Sequence, residues 1–149
     1  MTGSEIREKL KKIWKHLRQI WLWDSKGYAT IDLDTLKKIV ANVKDVRIIL
    51  PSGEEIRYGD LRNVGEQFDC DDIAIGGEFL AKLIWLYIAR GSPPIAFGSG
   101  AGDKFSGFSG GHKLNVSIAS NRIYLVDFGK GGEIWEADPE TDSVFFVSM

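Results

Sequence analysis

The chain holds one cysteine, Cys70, in the run Gln67-Phe68-Asp69-Cys70-Asp71-Asp72-Ile73-Ala74. The apolar spacing after it predicts a helix over roughly 71–89, which places the thiol at a helix start. Backbone N–H groups are unpaired there and the helix dipole is positive, so a thiolate is favoured. A thiolate beside a base is a nucleophile for acyl transfer. The plainer reading is a buried cysteine serving as a small apolar residue. Three neighbouring aspartates argue instead for the edge of a cleft.

His112 is the candidate base. It follows Gly110-Gly111 and opens the run His112-Lys113-Leu114-Asn115-Val116-Ser117-Ile118, a strand by its alternation. The second histidine, His16, falls on the basic face of a predicted first helix, where a solvated role suffices. Asp127 closes the apolar run Ile123-Tyr124-Leu125-Val126. A hairpin turn at Ser120-Asn121 makes paired positions sum to about 241, which sets Asp127 beside residue 114 and within reach of His112. An acid at that point accepts from the imidazole and fixes its tautomer. The alternative is a turn residue before Gly129.

Cys70, His112 and Asp127 together read as the catalytic set of a thiol-dependent hydrolase of peptide or amide bonds. Cys70 attacks the carbonyl, and His112 protonates the leaving amine and then activates water. The Cys70 N–H and the Gln67 side chain are candidate oxyanion donors. Asp69, Asp71 and Asp72 either cap and charge the first helical turn or offer oxygen ligands to a hard cation.

These blocks, with Gly111-His112-x-x-Asn115-Val116, Tyr124-Leu125-Val126-Asp127 and Gly132-Glu133-Ile134-Trp135, resemble the papain-like C-terminal domain of the MOA-related agglutinins over roughly residues 45–140. The resemblance implies a papain-like catalytic core with Cys70 as nucleophile, His112 as base and an acid one strand later, and it implies calcium, with Asp71 and Asp72 as ligands. The family's acid is typically a Glu in a Glu-Pro-Gln run, where this chain has Asp127-Phe128-Gly129-Lys130. No sugar-binding repeat is recognisable, so the lectin half of those agglutinins is missing and carbohydrate binding is not expected. The order of motifs is also similar to bacterial transglutaminase-like cysteine proteinases. That likeness implies a transglutaminase-like acyltransferase as a rival reading. A catalytically inactive binding or regulatory module on the same fold is a third.

With 149 residues, 44% hydrophobic and 27% charged, the chain suits a single globular domain. Its expected parts are a helical segment at 1–43 and the catalytic core at 44–149. A net charge of −2 gives no argument for nucleic-acid binding. Residues 1–20 nevertheless carry about +4 against about −6 for the remainder. One cysteine excludes an internal disulfide and a Cys-rich zinc site, and fits a reducing compartment. Neither a signal peptide nor a membrane-spanning run is visible, which suggests a cytoplasmic protein taking a peptide or protein substrate. Oligomeric state is open.

The elements that must position these residues follow from periodicity. Ile6, Leu10, Ile13, Leu17 and Ile20 predict a helix over 4–22, with Thr2 and Glu5 at capping-box spacing. Asp34 or Asp32 caps a helix over 35–43. Two strands at 45–50 and 54–58 flank the turn Pro51-Ser52-Gly53-Glu54, and 59–69 reads as loop. Seven glycines and two prolines in 91–111 predict a long irregular loop, a candidate lid over the cleft. Strands follow at 113–119, 122–128, 133–137 and 143–147. Helices first and an antiparallel sheet after them make an α+β fold, papain-like or transglutaminase-like, with the Cys-bearing helix packed on the sheet.

Overall fold

The computed structural model describes residues 1–24, 26–62, 69–105 and 108–149, with the backbone alone at 108–109. Helix α1 (Gly3–Ile13) begins with the expected capping box between Thr2 and Glu5. It buries Ile6 and Leu10 and ends at Trp14. The predicted helix to residue 22 is therefore half as long in the structure. The apolar period does continue to Leu17 and Ile20, both buried, but Gln19–Trp21 forms strand β1 instead. Hydrogen bonds with the far end of the chain, Arg18 N to Phe145 O and Met149 N to Trp21 O, both at 2.9 Å, override helix propensity there.

Asp32, not Asp34, caps helix α2 (Leu33–Asp45), accepting from the Thr35 N–H at 2.7 Å. Strands β2 (Arg47–Ile49) and β3 (Glu55–Arg57) form an antiparallel hairpin, closed by Leu50 N to Glu54 O at 2.8 Å. Helix α3 (Cys70–Ile88) starts at the cysteine itself. Buried Tyr58, in the single 3-10 turn after β3, donates its hydroxyl to the Ile73 carbonyl and so ties that turn to the start of α3.

The main surprise lies at 91–111. Much of the predicted loop is strand: β4 (Phe97–Phe105) and the start of β5 (Phe108–Ala119). Strand β4 sits inside the sheet, between β8 (Ser143–Ser148) and β5. Its glycines are what central placement demands. A Cβ on Gly98 would overlap the carbonyl oxygen of Ser148, and one on Gly100 would lie 2.6 Å from Val116 Cγ2. The expectation of a mobile lid is thereby corrected for the described residues.

Strands β6 (Arg122–Asp127) and β7 (Glu133–Glu136) complete a six-stranded sheet in the order β1-β8-β4-β5-β6-β7. All its pairings are antiparallel except β1 with β8. Asn115 pairs with Val126, the register anticipated from the hairpin. Ser120 and Asn121 both adopt positive φ, as a two-residue turn of this hand requires. Side chains alternate between two cores. Ile123 and Leu125 meet α1 on one face, whereas Tyr124 and Val126 meet α2 and α3 on the other. The fold is thus α+β with three helices and a mostly antiparallel sheet. Among the described residues no helix is long and apolar enough to cross a membrane.

Candidate functional site

The aspartates around Cys70 are first of all a helix cap. Asp69 Oδ1 accepts from the Asp71 N–H at 2.9 Å, and Asp72 Oδ2 accepts from the Asp69 N–H at 3.2 Å. Asp71 faces the other way, with Oδ2 3.8 Å from Lys113 Nζ. The close set of possible ligand atoms is therefore Asp69, Cys70 and Asp71, within 4.8 Å of one another. Calcium takes six to eight oxygen ligands. Asp69 and Asp71 bring two carboxylates to that set and Cys70 a thiol, while Asp72 is engaged at the helix cap. Gln67 lies outside the described residues.

Cys70 is half-buried. Its thiol faces Asp71 Oδ1 at 3.9 Å, and the backbone N–H of Lys113 donates to the sulfur. Burial pushes the thiol pKa up, and the Asp71 and Asp69 carboxylates add to the rise; the Lys113 N–H opposes them without reversing the outcome. The helix-start position predicts the opposite direction. The dipole is worth only about 0.3–1 kcal/mol, and burial, with two carboxylates at the same helix end, outweighs it.

Hairpin register and strand ends bring the other two candidates together. His112 Nε2 stands 3.3 Å from Asp127 Oδ2, and Asp127 is only 3% exposed. The His112 ring also packs edge-on against Phe105, with centroids 6.2 Å apart. Beneath them, Asn115 is fully buried and its amide nitrogen donates to Ala74 O at 2.7 Å and Gly98 O at 2.9 Å. One side chain thus fixes α3 to β4. Gly77 leaves room for it, since a Cβ there would lie 2.7 Å from Asn115 Oδ1.

Cys70, His112 and Asp127 all line one cavity of about 280 Å³ between the start of α3 and the ends of β5 and β6. Lys113 and Lys130 line it too. No sequence motif marks either lysine. Lys113 follows His112 directly, and Lys130 stands in the turn after Asp127, so proximity to the motif residues is the available signal. Asn115, an ordinary strand residue by its sequence pattern, is the side chain that sets the helix against the sheet.

No family model matches the chain, and no curated protein matches it. Solved structures do. The fold is similar to that of a fungal lectin. A complex of PSL1a with E64 aligns with a TM-score of 0.71 at 20% identity, covering 100% of this chain and 51% of the other. Polyporus squamosus lectin bound to the human-type influenza-binding epitope Neu5Acα2-6Galβ1-4GlcNAc aligns at 0.69 and 19%, covering 100% and 49%. This chain spans about half the length of each. The likeness agrees with the agglutinin-related part of the resemblance.

It also corrects the functional expectation. A thiol-dependent hydrolase, and with it an enzyme built on a catalytic triad, is not what the glycan-bound structure describes; that chain is a lectin.

Proposed function

We propose that this chain is a catalytically idle binding module on a papain-like or transglutaminase-like scaffold, and that its cavity takes a saccharide bearing a carboxylate. The cavity itself carries the reading. Lys130, Lys113 and an imidazole line it, Lys113 within ion-pair reach of Asp71, and the one acid in the lining, buried Asp127, is engaged by His112. A saccharide carboxylate finds charged donors there, and hydroxyls find both donors and acceptors. The terminal sugar of the epitope bound by the Polyporus squamosus lectin is of this acidic class. Since this chain matches only half of that lectin, the ligand comes to it as part of the proposal. Cys70, His112 and Asp127 then serve as walls and hydrogen-bonding groups of a binding pocket.

Calorimetric titration with Neu5Acα2-6Galβ1-4GlcNAc and with Galβ1-4GlcNAc tests this. The sialylated sugar should bind at least about tenfold more tightly, and Lys130→Ala should remove most of that preference. Absence of heat with both sugars at millimolar concentration would sink the reading. Equal affinity for the two would remove its acidic component.

A further inference from the structure

Strand β1 forms one edge of the six-stranded sheet. Its alternation turns Ile20 into the core under α1 and leaves Trp21 on the other side, 51% exposed. Trp23, two residues on, is 68% exposed. The rings are held in place. Trp21 meets Trp23 edge-on at 6.0 Å between centroids, and Phe146 at 5.3 Å. An indole has an apolar body and a single N–H, so it is ordinarily buried, or seated where one end is apolar and the other wet.

Cations stand beside these indoles. Arg7 Nη1 donates to the Ile20 carbonyl at 2.9 Å, which carries its guanidinium from α1 onto β1 next to Trp21. Lys11 lies one helical turn further along the same flank of α1, while Lys15 and Arg18 precede β1. All four cations are exposed, and among the described residues none of them is ion-paired. Asp24, next after Trp23, and Asp103, which shares a cavity with Arg18, border the patch and leave it positive. We propose that this edge seats on an anionic lipid surface, with Trp21 and Trp23 in the headgroup layer and the four cations on lipid phosphates.

One partner meets both features. Indoles settle at the headgroup level of a bilayer, where the ring leaves water and the N–H keeps a hydrogen bond. Each Lys or Arg near an anionic membrane is worth roughly fivefold in partitioning. The two indoles offer on the order of 300 Å² of apolar surface, the scale at which an exposed patch marks a contact site. An acidic polypeptide would satisfy the cations but leave the indoles in water. A further β-strand suits the edge less well, since Arg7 already occupies the Ile20 carbonyl, an acceptor that edge pairing would use. The contact is peripheral, as no described helix is long and apolar enough to cross a membrane.

Co-sedimentation of the full chain with vesicles tests this. Phosphatidylcholine vesicles holding about 30% phosphatidylserine should bind it at least about tenfold more tightly than pure phosphatidylcholine, with a blue shift of tryptophan emission. Serine at both Trp21 and Trp23 should weaken binding about thirtyfold or more and remove the shift. Lys11→Glu, on the solvated side of α1, should weaken it about tenfold, whereas Lys37→Glu, an equal charge change on α2, should leave it within about twofold. Absence of binding at millimolar anionic lipid overturns the proposal, as does equal binding to both vesicles. Binding that survives loss of both tryptophans overturns it too. So does capture by soluble polyglutamate as tight as that by vesicles, which would assign the cations to an acidic polypeptide.

Discussion

Cys70 shows how one position can hold two opposed electrostatic arguments. Its place at the start of α3 gives it the helix dipole and the Lys113 N–H, both of which favour the thiolate. Burial and the carboxylates of Asp71 and Asp69 favour the thiol, and they prevail, raising the pKa above the ordinary value of 9.0. At neutral pH, iodoacetamide should therefore alkylate Cys70 more slowly than the thiol of an unstructured peptide. The deficit should narrow as pH rises past the ordinary thiol range. Asp71→Asn removes a negative charge 3.9 Å from the sulfur, which lowers the thiol pKa and speeds alkylation at any fixed pH below it. Alkylation faster than the peptide's near neutrality, lost in His112→Ala, would restore an activated nucleophile and defeat the idle-module reading.

Among the elements, those whose stability is local are the ones legible in the sequence. Helix α3 announces itself through its apolar period and the Asp69–Asp72 cap, and the β5–β6 hairpin through Ser120-Asn121. Residue order alone therefore sets His112 and Asp127 near one another, whereas Cys70 joins them through the packing of α3 on the sheet. Strands β1 and β4 are not legible, because their reasons are tertiary. Gln19–Trp21 becomes strand by pairing with residues 146–148. The glycines of β4 read as loop punctuation, yet they are there because neighbouring backbones leave no room for a side chain. The cavity's lysines escape notice for a related reason: no motif marks a residue whose role depends on which turn folds beside it. Gly98→Ala makes this testable. The new methyl would collide with backbone at Ser148 in the middle of the sheet, so the expected loss is about 4 kcal/mol or more, seen as failure to fold or a steep drop in thermal midpoint. Gly53→Ala is the control. Its positive φ of 85° strains an exposed turn, but nothing lies within 4 Å, so the loss should stay near ~1 kcal/mol.

At the scale of the molecule, the sheet is a shared wall. Consecutive residues of β6 belong to different cores, Leu125 to the one under α1 and Val126 to the one under α2 and α3. The N-terminal segment divides likewise, with α1 on one face and α2 on the other. A boundary at residue 43 therefore does not separate two independent units; each half of the segment needs the sheet, and the sheet needs both to cover its faces. The consequence is cooperative unfolding. Ile39 in α2 is fully buried on the α3 side, and Trp14, after α1, is buried on the other. Ile39→Ala should cost about 2–5 kcal/mol. It should lower the urea midpoint followed by far-ultraviolet circular dichroism and that followed by the emission of Trp14, kept as the sole tryptophan by Phe replacements elsewhere, by the same amount. Midpoints that separate would mean that the α1 core survives loss of the α2–α3 core, and the shared-wall account would fail. Coincident midpoints would mean that a substitution beneath α2 is transmitted across the sheet to the opposite core, whose strands β5 and β6 carry His112 and Asp127.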